Sequence, residues 1–292
     1  MWWEFILSGF AVGGIVGVTG MGGGSLMTPL LVIAFGLNPT VAVGTDLFHG
    51  AIFKTVGAVR HRRLGTVHAR LSVWMFVASA PTSLLGVWLA TKLKGFSTDM
   101  AYVIAVALVL GGAGLIAKSF MRFQERSNKA YHLTKRDKIA AILIGLIGGL
   151  IVGLTSVGTG VFFGLTMLIV FPLRSAKIVG TSIFLAAALL WVAGFGHLIA
   201  GNVQLGTVGW LLIGSIPGVL LTSQYAPRIP EQALRVAIGT VMAMSGVALA
   251  KPPYETILLV VPGVIGLSLL ALLYFRPRRQ KRVTRVAPVK QT

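Results

Sequence analysis

Residues 17–24 read Gly-Val-Thr-Gly-Met-Gly-Gly-Gly, and residues 153–160 read Gly-Leu-Thr-Ser-Val-Gly-Thr-Gly. Both stretches belong to a longer internal repeat. Residues 13–85 align with residues 149–221 without a gap, at an offset of about 136 residues, and roughly a third of the aligned positions are identical. The chain is therefore built from two copies of one unit.

The composition indicates that this unit lies in a lipid bilayer. Hydrophobic residues make up 55% of the 292 residues, charged residues only 11%, and the mean hydropathy is +0.85. A soluble protein of this length could not bury so much apolar surface in one core, and an apolar helix of about 20 residues crosses a bilayer. We predict an all-α polytopic membrane protein.

Eleven apolar segments can be read along the chain, about five in each copy and one more after the second copy. They lie near residues 5–18, 25–35, 41–59, 71–90 and 101–117, then near 139–154, 161–171, 178–199, 208–225 and 233–250, and finally near 256–275. The first two segments of each copy are short and are joined by a glycine-threonine stretch. They are either two crossings or a broken, re-entrant helix pair, and in both cases the chain leaves on the side where it entered.

These segments divide the chain into five parts. The parts are a first membrane repeat (5–118), a basic linker (119–138), a second membrane repeat (139–251), a C-terminal transmembrane helix (256–275) and a basic tail (276–292).

The positions of Lys and Arg predict the orientation of each part. Cations concentrate in residues 60–70, in the linker and in the tail, whereas residues 201–204 carry none. Basic connections remain in the cytoplasm, so the N-terminus is predicted outside and the C-terminus inside. The two copies then have opposite orientations, related by a pseudo-two-fold axis in the membrane plane. Such an inverted repeat is typical of secondary transporters, although duplication is also a way to build a large bundle.

The net charge of +19 does not indicate a nucleic-acid-binding protein, because the cations flank apolar segments, where they meet anionic lipid headgroups. The chain has no cysteine, which excludes disulfides and Cys-ligated metal centres. The first residues lack the positive region of a cleavable signal peptide, so the first apolar segment is expected to be retained. The sequence is compatible with a homo-oligomer.

The two glycine-threonine stretches are candidate anion-binding turns. Glycines at membrane depth break a helix, and the first amides of the next helix are then free to face a ligand at its positive end. Hydroxyl groups would complete the site, including those of the Val-Gly-Thr sequences at 43–45 and 179–181. The alternative is close helix packing through small residues. The candidate substrate-binding residues are Thr19, Gly20, Gly22, Gly23, Gly24, Ser25, Thr45, Thr155, Ser156, Gly158, Thr159, Gly160 and Thr181.

The third segment carries Asp46, His49 and Lys54. A charge at the bilayer centre costs about 2.5–3.5 kcal/mol on insertion scales, so such residues usually face a polar interior. Asp46 and His49 are candidates for proton coupling, and a structural ion pair is the alternative. Lys54 could pair with them or extend toward the basic cluster. The matching positions in the second copy are Ser182, Leu185 and Leu190.

The first glycine-threonine stretch, followed by Pro29 and the Val-Gly-Thr at residues 43–45, and its degenerate copy from Gly149, resemble the TauE/SafE sulfite exporter family. The resemblance covers about residues 5–251. It implies a multi-pass permease of the bacterial inner membrane that moves small sulfur oxyanions, organosulfonates or related carboxylates, with coupling to the proton gradient.

We therefore predict a secondary transporter that binds a small anion near the bilayer midplane. The alternatives are an anion channel and a membrane scaffold that binds a partner complex through its basic linker. An enzyme is not expected, because the apolar segments contain neither a nucleophile with its base nor metal-ligand spacing. No cofactor and no metal site are predicted.

Overall fold

The computed structural model describes residues 2–19, 24–95, 97–120, 131–222, 231–250 and 255–275. Within these residues the chain forms eleven α-helices and no strand, and each helix corresponds to one predicted apolar segment. The helices are α1 (Trp2–Thr19), α2 (Gly24–Ile33), α3 (Pro39–Arg63), α4 (Ala69–Lys92), α5 (Ser97–Phe120), α6 (Lys135–Thr155), α7 (Val161–Val170), α8 (Ser175–Ile199), α9 (Leu205–Thr222), α10 (Glu231–Ala250) and α11 (Glu255–Phe275).

Local capping explains where two of these helices begin. α3 starts at Pro39, and the side chain of Asn38 accepts a hydrogen bond from the Thr40 amide. α6 starts at Lys135, inside the predicted linker, because Thr134 and Asp137 form a reciprocal capping box. The linker is therefore shorter than the charge pattern suggested.

The described helices have the size and surface of membrane spans. Six of them are long and apolar enough to cross a bilayer: residues 69–95, 98–120, 135–155, 176–199, 205–222 and 232–250. Large apolar side chains point outward along them, among them Val77, Leu110 and Leu220, each more than 60% exposed. Such a surface is stable in lipid, which supports a multi-pass membrane protein.

Helices α2 and α7 are too short to cross. Each has 10 residues, so each rises only about 15 Å, half of the hydrocarbon thickness. The broken, re-entrant arrangement, which the sequence left open, therefore fits the helix lengths better than two full crossings.

The two copies exchange partners in a reciprocal manner. α1 packs along α9 and α4 packs along α6, so the first helix of each copy contacts the fourth helix of the other copy. The third helices, α3 and α8, pack together, as do the fifth helices, α5 and α10. A two-fold relation between the copies produces this pattern.

Glycines bring the backbones of these helix pairs into contact in the same register in both copies. Gly13 lies against the backbone of Ser215, and Gly149, its repeat equivalent, lies against the backbone of Ser79. Ser79 and Ser215 are themselves repeat equivalents. Small residues allow close helix approach in membranes, and these two glycines, which lie outside the glycine-threonine stretches, have that function.

The helix directions agree with opposite orientations of the copies. Phe48 faces Gly194 and Gly57 faces Ile183, so α3 and α8 run antiparallel. Equivalent helices of two copies with the same orientation would run parallel. The side of the membrane on which each end lies remains a prediction from the loop charges.

Replacing Gly149 with Ala should lower the free energy of unfolding by about 2 kcal/mol, because the added Cβ would overlap the Ser79 backbone. Gly209→Ala is the matched control, since a Cβ at Gly209 meets no other atom within 4 Å. Thermal unfolding in detergent, followed by tryptophan fluorescence, measures both. Equal melting temperatures for the two variants would contradict this packing.

The lack of cysteine allows a direct test of sidedness. Arg63 and Ile199 are exposed repeat equivalents at the ends of α3 and α8. In intact cells a membrane-impermeant thiol reagent should label Ile199→Cys but not Arg63→Cys, and both should react after permeabilisation. Labelling of both variants in intact cells would refute the predicted orientation.

Candidate functional site

Helix α3 carries three buried ionisable side chains. Asp46, His49 and Lys54 are 2%, 4% and 5% exposed, and they occupy the eighth to the sixteenth of the 25 residues of this helix. They therefore lie near the middle of this helix, deep inside the bundle. Ionisable groups at this depth need polar partners from the surrounding protein.

Asp46 joins the two copies through hydroxyl groups. Its Oδ2 accepts a hydrogen bond from the Thr28 hydroxyl of α2 at 2.6 Å and another from the Ser156 hydroxyl at 2.8 Å. Thr28 belongs to the first copy, whereas Ser156 begins the glycine-threonine turn of the second. Hydrogen bonds to a carboxylate stabilise its ionised form.

His49 and Lys54 have hydroxyl partners of their own. The His49 Nε2 lies 2.9 Å from the Ser215 hydroxyl of α9, and the ring stacks on Phe53. The Lys54 ammonium donates to the Thr159 hydroxyl at 2.6 Å. Asp46 and Lys54 each hydrogen-bond to hydroxyl groups. They do not hydrogen-bond to one another.

The second-copy turn, residues 156–160, has the backbone that its glycines predict. Ser156 has φ +59° and Gly158 has φ +130°, and the latter is a region that disfavours any residue with a Cβ. Thr155 closes the end of α6, because its hydroxyl donates to the Ile151 carbonyl and accepts from the Val157 amide.

The start of α7 leaves several amides available. The amides of Phe162 and Phe163 donate to the Gly158 carbonyl. Within the described residues, the amides of Thr159, Gly160 and Val161 form no hydrogen bond of good geometry outside the helix. Amides at a helix N-terminus can face an anion, and their role in substrate binding remains a prediction.

The first-copy turn is only partly within the described residues. Gly20, Gly22 and Gly23 lie outside them, as do the side chains of Thr19 and Ser25. Gly24 is the first residue of α2. Their predicted role in substrate binding therefore remains a prediction.

Thr45 and Thr181 lie at a different place in the fold. The Thr45 hydroxyl accepts from the Gln204 amide, and the Thr181 hydroxyl accepts from the His68 amide. Each amide belongs to the helix connection of the opposite copy, and the two bonds are repeat equivalents. We call this pair of contacts the reciprocal clamps. Neither threonine lines the cavities beside Lys54, so the site gains no ligand from them in this conformation.

A buried histidine lies beside the Thr45–Gln204 clamp. His197 is fully buried, its Nε2 donates to the Gly153 carbonyl at 2.9 Å, and its Nδ1 faces the Asn202 amide nitrogen at 3.4 Å. It thereby supplies a partner to a carbonyl near the end of α6. This histidine is part of the core.

Two cavities adjoin the ionisable residues. The inner cavity is lined by Asp46, His49, Lys54 and Ser215, and it holds no more than about one water molecule. The outer cavity, which we call the vestibule, has a volume of about 230 Å³ and extends from Lys54 and Thr159 to Arg60 and His61. Lys54 lines both cavities.

Sequence reasoning missed Thr28 and Ser215. Thr28 lies 18 residues before Asp46, and Ser215 lies 166 residues after His49, so neither is a local neighbour. The one available signal was the identity of Ser215 with its repeat equivalent, Ser79. No group of three or more His, Cys, Asp or Glu residues with metal-binding geometry occurs among the described residues.

Comparison with known proteins identifies similar chains. A family model described as Sulfite exporter TauE/SafE matches residues 5–249. "Probable membrane transporter protein YjnA" of Bacillus subtilis (strain 168) is 36% identical over 251 residues, which cover 84% of this chain and 98% of that protein. "Probable membrane transporter protein YdhB" of the same organism is 24% identical, with the same coverage of both chains. No solved structure matches significantly.

His197→Phe should lower the free energy of unfolding by about 2 kcal/mol, because it leaves the Gly153 carbonyl without its buried donor. The repeat-equivalent His61→Phe should cost less, since His61 is only half-buried and bonds the Thr66 hydroxyl. Thermal unfolding of the two variants checks this difference. Equal losses would show that the buried bond adds nothing.

Proposed function

Because the chain belongs to the sulfite exporter TauE/SafE family of membrane transporters, we propose that it moves a small anion across the bacterial inner membrane, with protons as the coupling ion. The proposed substrates are sulfite, organosulfonates, and related sulfur oxyanions or carboxylates. The binding site is the region between α3 and the turn of residues 156–160. Asp46 is the group that carries the proton, and His49 is the second candidate.

The observation that carries this proposal is the position of Asp46 between the two copies. Its carboxylate holds Thr28 of the first copy and Ser156 of the second within hydrogen-bond distance. An ionised carboxylate accepts strong hydrogen bonds; the neutral acid gains one O–H donor and accepts hydrogen bonds more weakly. Protonation of Asp46 would therefore loosen the connection between the copies at their contact.

This change can be linked to alternating access. The reciprocal clamps and the glycine contacts hold each copy against the other at several places. In the proposed cycle one copy moves against the other as a body at these contacts. The inner cavity has room for only about one water molecule, whereas the vestibule extends toward the basic end of α3. We assign this shape to a state that faces the cytoplasm.

The groups around the turn suit an oxyanion. The free amides of residues 159–161 and the Thr159 hydroxyl are neutral donors, and Lys54 adds a positive charge. Donors of this kind bind sulfonate and carboxylate oxygens at a helix N-terminus without fixing one substrate geometry.

The test is transport by the purified protein in liposomes. With an imposed proton gradient, radiolabelled or enzymatically detected sulfite, sulfonates and short carboxylates should accumulate against their concentration gradients for at least one substrate. Asp46→Asn should reduce this uphill flux at least about tenfold with little effect on folding, since it removes the titrating group and keeps the shape.

Asp99→Asn is the matched control, because Asp99 is an exposed carboxylate in the first turn of α5. It should transport like the wild type. Flux that only follows the concentration gradient, whatever the proton gradient, would refute coupled transport and favour the anion channel. Full uphill flux in Asp46→Asn would refute the assigned role of Asp46.

A further inference from the structure

Lys54 has fewer partners than its chemistry allows. A lysine ammonium carries three N–H donors. The side chain is 5% exposed, and within the described residues its one hydrogen bond is to the Thr159 hydroxyl. Asp46 lines the same inner cavity but forms no hydrogen bond with this ammonium, so two of its three donors remain for a second negatively charged partner.

The vestibule provides a place for that partner. Its walls are mainly apolar: Phe53 and Ala186 line it on the inner side, and the outward-pointing Val56 and Leu220 form its outer rim. Its polar groups lie at the two ends. Lys54 and Thr159 form the inner end, and Arg60 and His61 lie about 10 Å farther along α3. A small anion with an apolar part would find its charge balanced at the inner end and its body covered by the walls.

We propose that the anion's charged group binds to the Lys54 ammonium and the Thr159 hydroxyl at the inner end of the vestibule, and that one proton is taken up with it. This inference rests on the proposed function and assigns the position of its substrate. The free amides of residues 159–161 supply additional donors from the same turn. The proton resides on Asp46, not on the anion.

Charge balance explains why a proton accompanies the anion. Asp46 and Lys54 carry one negative and one positive charge, so the buried cluster is neutral while it is empty. A bound monoanion leaves one surplus negative charge in a region of low dielectric constant. Protonation of Asp46 removes this surplus. Eight residues of α3 separate Asp46 from Lys54, a rise of about 12 Å, and both side chains line the inner cavity. At about 12 Å and an effective dielectric constant near 20, the repulsion between the Asp46 carboxylate and the anion already weakens anion binding about tenfold.

The surroundings of Asp46 contain few other groups that titrate. On α3 itself these groups are His49 and Lys54. The other elements contribute the Thr28, Ser156 and Ser215 hydroxyls, and the apolar residues Val12, Gly13 and Val16. Within the described residues, no titratable side chain from α1 or α9 lines the inner cavity. Among these groups, Asp46 is the acid whose neutral form restores charge balance when an anion binds.

The experiment measures binding of methanesulfonate to the full chain in detergent. This probe remains a monoanion across the pH range used, so any pH dependence belongs to the protein. The dissociation constant is obtained from the rise in melting temperature with probe concentration, and the number of protons taken up from calorimetry in buffers of different ionisation enthalpy. The wild type should bind about tenfold more tightly at low pH than at high pH, with uptake of up to one proton.

Three variants separate the parts of the proposal. Lys54→Met should weaken binding at least tenfold, whereas Lys54→Arg, which keeps the charge, should retain most of it. Asp46→Asn imitates the protonated acid, so it should bind as tightly as the wild type at low pH and lose the pH dependence. Lys135→Met is the matched control, since Lys135 is an exposed lysine in the first turn of α6.

Each contrary result has a defined meaning. If Lys54→Met binds as the wild type does, the Lys54 site is wrong, although coupled transport in liposomes would still support the proposed function. A pH dependence that persists in Asp46→Asn would overturn the proton assignment. No stabilisation of the wild type by methanesulfonate would overturn the site for sulfonates. If Lys54→Met does not fold, Thr159→Val replaces it and should weaken binding while retaining the buried charge.

Discussion

Backbone groups that leave a helix inside a bilayer must find partners within the protein, since lipid offers none. This constraint is strongest at the turn of residues 156–160. There, the Gly153 carbonyl accepts from His197 and the Val157 amide donates to Thr155. The amides that follow lack such partners and remain available. The backbone polar groups at the α6 end of the turn thus have hydrogen-bond partners. Those at the α7 end do not, and this end of the turn lines the vestibule.

The same constraint explains why two copies are needed. A single copy could not complete the site, because Asp46 and Lys54 come from the first copy, whereas Ser156 and Thr159 come from the second. The reciprocal clamps bring the copies together through backbone amides and threonine hydroxyls, and the glycines at equivalent positions allow the helices to approach. Residues that are identical in the two copies therefore support the scaffold. Residues that differ between the copies form the proposed binding site.

This division also explains how much the sequence could predict. The helices followed from apolar segment length, and the broken pairs followed from the glycines, because both are local properties of the chain. The sequence shows that Val-Gly-Thr occurs once in each copy. It does not show that the threonine hydroxyls accept from backbone amides in the opposite copy, because no local pattern reveals such a contact. The partners of the ionisable residues were missed for the same reason, since Lys54 and Thr159 are 105 residues apart.

The location of both buried charges on one helix has an electrical consequence. Each elementary charge that crosses the whole membrane potential gains or loses about 2.3 kcal/mol per 100 mV. Because Asp46 and Lys54 have opposite signs and move together with α3, their contributions cancel in the unloaded protein. A monoanion and its proton cancel in the same way. If the proposed anion and proton cross together, the resting voltage of the cell should have little influence on either half of the cycle. The driving force is then the difference in pH together with the concentration gradient of the anion.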